Sequence, residues 1–197
     1  ACGTSPDEVD TLATAGALCD LLMSAGHNAR LMHLAPDLRA LRTLAAQRPD
    51  LIVNLVDAVG GDGGIAAAIP AELDRMGLDY TGCGARASAA CAAKPGMKKL
   101  MRRAGLPTPD WSLTGASFRR GASVIVKAIS EHASIGLDAA STVPEHAAAA
   151  DILSRTARFG IPFFAEEYIE GREFNVSLLG GPAGPEVLPP AEIDFVG

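Results

Sequence analysis

The sequence has no C-x-x-C pair, and no histidine stands at zinc-like spacing from its four cysteines, Cys2, Cys19, Cys83 and Cys91. The thiols therefore read as small buried apolar side chains in a reducing compartment. No apolar run reaches membrane-spanning length and the amino end carries no signal-peptide pattern, so the cytoplasm is the expected location. An excess of basic residues is also missing: 17 Lys and Arg stand against 23 Asp and Glu, a net charge of −6. Without a basic field, neither nucleic acid nor an anionic membrane is an expected partner. Internal repeats and low-complexity segments are absent. The four histidines, His27, His33, His132 and His146, are scattered, and no Ser/His/Asp or Cys/His set supports hydrolase chemistry.

What is present is an alternation of helical and strand-like segments. Apolar residues at helical spacing predict a helix over residues 8–26 ending at Gly26, and a second over 38–46. Residues 29–34 are a candidate strand. Asp50–Val56 reads as a buried strand of a parallel sheet. It runs into the glycine-rich segment Gly60–Gly64, a predicted helix over 65–76 and a short strand over 77–81. The glycine segment does not have G-x-G-x-x-G spacing, so a nicotinamide site has little support. This order predicts a doubly wound, Rossmann-like unit over residues 1–85. Helices are predicted over 85–93 and 95–104, a β-branched strand over 123–127 and an alanine-rich helix over 144–159. Residues 163–169 and 173–179 are expected to pair as antiparallel strands across Glu170–Arg172.

Three places could carry chemistry. Lys94, Lys98 and Lys99 crowd a helix start, where each cation opposes the helix dipole by roughly 0.3–1 kcal/mol; a bound anion would reverse that sign, and surface solvation is the bland alternative. Lys127 ends a strand and precedes a polar loop, Glu131–Gly136, able to fold backbone N–H groups over phosphate oxygens. Phe164–Ile169 sets adjacent carboxylates in an apolar strand, either a solvated edge or the wall of a nucleotide pocket.

The runs PDLIVNLVDAVGGDGG, GLDYTGCG, K-x3-K before RRAGLPTPDW, VIVKAISEHASIGLD and FFAEEYIEGREFNVSLLGG, in that order, resemble the D-alanine–D-alanine ligase-like ATP-grasp family over nearly the whole chain. The last two runs are the specific ones. The resemblance implies an α/β protein: a Rossmann-like pre-ATP-grasp domain (1–85) followed by an incomplete ATP-grasp domain. The latter would comprise a first subdomain (86–160) and the start of a second (161–197). It implies an ATP-dependent ligase that forms an acyl phosphate on a carboxylate and passes the acyl group to an amine.

By the same resemblance Lys94 and Lys127 are the phosphate-binding lysines, and Glu131, Ala133, Ser134 and Gly136 belong to the loop covering the phosphates. Ser134 is the loop's remaining serine and the catalytic candidate. Glu166 matches the acid near the adenine amino group. Glu167, Tyr168 and Ile169 match the hinge beside the base, and Glu173 the ribose ligand. The partners implied are ATP and an amino acid or small carboxylate, with a homodimer common in the family. The chain opens on Ala1 and closes on Gly197, which reads as part of a longer protein. The Mg2+ ligands are expected beyond residue 197, with no metal ligand in this chain, so that it could hold part of a nucleotide without completing ligation alone.

The sequence also departs from the family pattern. Ala133 replaces a serine, His132 stands where glycine is usual, Ala128 replaces proline and Ala93 an aspartate. The histidine typical after the Asn54 strand is absent, and only Asp7 or Glu8 could match the family's first glutamate. These point to an amino-acid substrate other than D-alanine. Two alternatives to a ligase are a non-catalytic ATP-binding module and another ATP-grasp activity such as peptide modification.

Overall fold

A computed structural model of the chain describes residues 6–60, 62–131 and 136–194. It packs as two compact units, Ala1–Glu167 and Tyr168–Gly197.

The first unit begins with α1 (Pro6–Ser24), followed by α2 (Arg39–Gln47) and α3 (Gly63–Met76). α3 starts two residues earlier than predicted because Asp62 caps it, its carboxylate accepting from the Gly64 and Ile65 N–H groups. That satisfies donors a helix start otherwise leaves free. Leu41, Ile69 and Leu73 form a buried cluster, with Leu34, Ile52, Val56, Leu78 and Tyr80 packed against it.

The predicted strands here are reduced. Residues 29–34 form none, and 50–56 and 77–81 meet in a single parallel bridge, Ile52 to Tyr80, with α3 between them in sequence. Leu51, Val53 and Leu55 are exposed and Ile52, Asn54 and Val56 half-buried, so the segment covers one face in part rather than burying the two expected. The cysteine expectation is also corrected: Cys83 and Cys91 are exposed and Cys19 is half-buried, while Cys2 lies outside the described residues.

Two helices follow, α4 (Ala85–Cys91) and α5 (Lys94–Arg103), then β1 (Trp111–Ser112), β2 (Ser123–Ala128), β3 (Thr142–Pro144), α6 (Ala148–Phe159) and β4 (Phe163–Glu167). The four strands form one sheet in the order β1-β4-β2-β3, antiparallel throughout. Alternation along β2 sends Val124, Val126 and Ala128 into a core with Phe163, Ala165 and Ile152 of α6. Ile125 and Lys127 therefore occupy the opposite face, together with Phe164 and Glu166 of β4.

Gly115 lets the chain pass tightly over α6. Its φ is 78°, and a Cβ there would sit 2.4 Å from the Ala149 nitrogen. Gly63 does the same at the start of α3, where a Cβ would lie 2.9 Å from the Ser130 carbonyl oxygen. The glycine-rich segment thus brings the amino end of α3 against Ser130 and Glu131.

The expected hairpin across Glu170–Arg172 does not form. In the second unit β5 (Glu173–Asn175) pairs with β8 (Ala191–Ile193), and β6 (Leu178–Leu179) with β7 (Glu186–Val187). β4 instead pairs with β1 and β2, which places a buried strand between two neighbours able to take its backbone hydrogen bonds. No helix among the described residues is long and apolar enough to cross a membrane.

Candidate functional site

The site lies where β2 ends and α5 begins. Pro95 stands in the first turn of α5, a position where a missing N–H costs nothing. The Lys94 N–H donates to the Ile129 carbonyl at 3.0 Å, fixing the helix start to the exit of β2. The Lys94 ammonium reaches the same segment, donating to the Ala128 carbonyl at 3.0 Å and to the Glu131 carbonyl. Burial holds its pKa below the ordinary value and repulsion from Lys127 lowers it further, while Glu131 and Glu166 oppose both. The two lysines singled out in the sequence are therefore close enough to sense each other's charge.

Lys127 and Glu166 share a sheet face, diagonal across the β2–β4 register. Lys127 Nζ lies 2.7 Å from Glu166 Oε1, and Lys98 Nζ lies 2.6 Å from Glu166 Oε2. Lys98 also donates to Thr108 Oγ1 at 2.8 Å and sits 5.5 Å from the centre of the Trp111 ring. Burial pushes the Glu166 carboxyl up, but hydrogen bonds from Lys127 and Lys98 outweigh it and leave the group below its ordinary value. Among the described residues three ammonium groups thus face two carboxylates, Glu131 and Glu166, an excess suited to an anion.

A pH dependence follows. A carboxyl whose folded pKa is depressed contributes stability that is complete above its unfolded value and is lost as pH falls through the folded one. For Glu166 that contribution is intact above 4.5 and disappears below it. The urea midpoint is expected to fall as pH drops from 5 to 3, and Glu166→Gln should flatten that fall; an unchanged slope in the variant would count against the assignment.

Of the residues expected at a site, the structure brings together Lys94, Lys127, Glu131 and Glu166. Ala133 and Ser134 lie outside the described residues. Gly136 is held apart from the lysines' contacts: its carbonyl accepts from Arg155 Nη1 at 2.5 Å, and its φ of 69° packs it against Phe163, where a Cβ would come within 2.8 Å of the ring. Glu167 ends β4, half-buried, its N–H donating to the Asp110 carbonyl at 2.9 Å. Tyr168 and Ile169 are exposed at the start of the second unit, and Glu173, also exposed, opens β5.

Lys98 stands in the sequence among the lysines crowding the helix start and shares a face with Lys94 by spacing, but nothing in the sequence reveals that it is 4% exposed. Arg155 is buried too, joining Asp151, Asp138 and the Gly136 carbonyl; the only sequence hint is an acid four residues before it.

No family model matches the chain. The D-alanine–D-alanine ligase of Gluconobacter oxydans is 29% identical over 184 residues, covering 90% of this chain and 59% of that protein. That of Chromohalobacter salexigens is 32% identical over 205 residues, covering 98% of this chain and 60% of its own length. The chain is a relative of the D-alanine–D-alanine ligases. It spans about three-fifths of the length of these two ligases. The fold agrees: the crystal structure of the Bacillus anthracis D-alanine–D-alanine ligase complexed with ATP superposes with a TM-score of 0.64 at 21% identity, covering 98% of this chain and 64% of that one. The mixed helix and strand architecture is thus that of the corresponding part of a ligase in this group.

Proposed function

We propose that this chain is the ATP-binding part of a carboxylate–amine ligase of the D-alanine–D-alanine ligase type. In this reading residues 1–85 are a Rossmann-like pre-ATP-grasp domain, and 86–160 and 161–197 belong to two subdomains of an ATP-grasp domain. Two observations support the boundary near residue 85: the Ile52–Tyr80 parallel bridge encloses α3, and separate apolar cores form around Ile69 and Val126. The later boundary is moved by β4, which pairs with β1 and β2 in the first compact unit, so the second subdomain would begin at Tyr168 rather than 161.

The observation that carries the proposal is the convergence of Lys94 and Lys127 at the exit of β2, beside Glu166. Phosphoryl transfer asks a protein mainly for positioning and neutralisation of charge. Lys94, on the rigid start of α5, and Lys127, on a central strand, would meet phosphate oxygens. Glu131 begins the loop that, with Ala133, Ser134 and Gly136, would cover them, Ser134 supplying the hydroxyl. The backbone of Glu167, Tyr168 and Ile169 would take the base, Glu166 its amino group, and Glu173 the ribose.

The reaction is a carboxylate oxygen attacking the terminal phosphorus with ADP leaving, then an amine attacking the acyl carbon with phosphate leaving. Mg2+, when bound, would screen the phosphate charge. Among the described residues no three carboxylates, imidazoles or thiols converge.

Titration calorimetry is expected to show one ATP per chain, and saturating ATP should raise the melting temperature, since a ligand at 100 times its Kd contributes about 2.7 kcal/mol. The absence of both binding heat and a thermal shift would overturn the reading. In the longer protein that contains this chain, ADP release across a panel of amino acids and peptides would then identify the substrate and separate a ligase from a module that only binds ATP.

A further inference from the structure

We infer that Lys98 is a positioning residue for the nucleotide, acting through Glu166 to keep the Lys127 ammonium available to phosphate oxygens. The inference rests on the ATP reading above. Lys98 is too enclosed to touch a ligand itself, being 4% exposed, with Glu166, Thr108 and the Trp111 face as its surroundings. Its charge is spent on one oxygen of Glu166, while Lys127 holds the other.

Two consequences follow from that sharing. A carboxylate anchored at one oxygen by a buried ammonium has its second oxygen fixed in direction, so it aims Lys127 from a rigid point. A carboxylate divided between two cations also neutralises each only in part. Deprived of Lys98, Glu166 would pair with Lys127 alone, one charge against one, and an incoming phosphate would have to compete with it. Lys127, with 28% of its side chain exposed, is the member of the triad that solvent and a ligand can reach.

The test compares Kd values for ATP, ADP and adenosine by calorimetry in wild type, Lys98→Met and the double variant Lys98→Met/Glu166→Gln. With one charge-assisted contact weakened, Lys98→Met should raise Kd for ATP and ADP about tenfold and leave adenosine within about twofold. In the double variant no carboxylate competes for Lys127, and the amide oxygen of glutamine still accepts from the adenine amino group, so ATP affinity should recover to within about threefold of wild type. Circular dichroism checks folding. If Lys98→Met does not fold, Lys98→Gln, which keeps donors for Glu166 and Thr108, takes its place in both variants.

Unchanged ATP affinity in the single variant overturns the inference. So does an equal loss for adenosine, or a double variant no better than the single, because each is what a purely structural lysine would produce. A wild-type protein that binds no ATP overturns the ATP reading and the inference with it, an outcome distinct from wild-type binding that is indifferent to Lys98.

Discussion

Glu166→Ala is expected to lower the folding stability by about 3–5 kcal/mol, the usual cost of removing one partner from a buried ion pair. The reason is the partner left behind. Lys98 is 4% exposed, and without the carboxylate its ammonium keeps only the Thr108 hydroxyl and the Trp111 face. A charge in that position must neutralise, draw in water or move the helix that carries it. Lys127 suffers less, since 28% of its side chain already meets solvent. For a chain of this size each kcal/mol shifts the melting temperature by about 2–4 °C, so a fall of roughly 10 °C is expected.

Two further variants make the comparison specific. Lys98→Met/Glu166→Leu, which replaces the buried pair with apolar side chains, should recover much of the loss, because such replacements are often neutral. Glu192→Ala breaks an equally short contact, Arg172 Nη2 to Glu192 at 2.6 Å, but both partners are exposed and little change is expected. Urea denaturation of the three variants decides the matter: equal effects for Glu166→Ala and Glu192→Ala would remove the argument from burial.

Lys127→Met should weaken ATP binding by about 10- to 100-fold while leaving the fold in place. One charge-assisted contact is worth about 1.5–3 kcal/mol, and that range sets the estimate. The fold survives because Lys98 still neutralises Glu166, and methionine retains the apolar stem that lies along the sheet. The effect has a natural brake. Repulsion from Lys127 is one cause of the lowered Lys94 pKa, so the variant allows Lys94 to hold its proton more firmly and meet the phosphates alone. Calorimetry at two salt concentrations would also show a smaller salt dependence in the variant, as expected when one cation leaves an anion site. Unaltered affinity with the fold intact would show that the phosphates lie elsewhere.

Sequence and structure agree best where an element is local. The helices around Leu18, Leu73 and Ile152 were legible because their apolar residues recur at helical spacing and each ends near a glycine: Gly26, Gly77 and Gly160. The strand at Val124–Lys127 was legible from its β-branched run. The pairing of Phe163–Glu167 was not. Its neighbours are Ser123–Ala128, some forty residues earlier, and Trp111–Ser112, a strand too short to leave a pattern. The run Asp50–Val56 is apolar enough for a two-sided buried strand, yet it makes one bridge and exposes alternate side chains, because burial depends on what lies opposite.

The candidate site divides in the same way. That Lys94 and Lys127 carry charge suited to a phosphate could be read from residue type and order along the chain, while the places of Glu131 in the covering loop and of Glu166 beside the adenine came from the family resemblance. That a single carboxylate is shared by two ammonium groups, one of them enclosed, came only from the packing of α5 against the Glu166 face of the sheet. Residue order supplies the chemical groups and the local periodicity that forms helices and strands. Which faces meet, and so which charges lose their water and find each other, is decided by contacts between segments far apart in the chain, and local spacing holds no record of them.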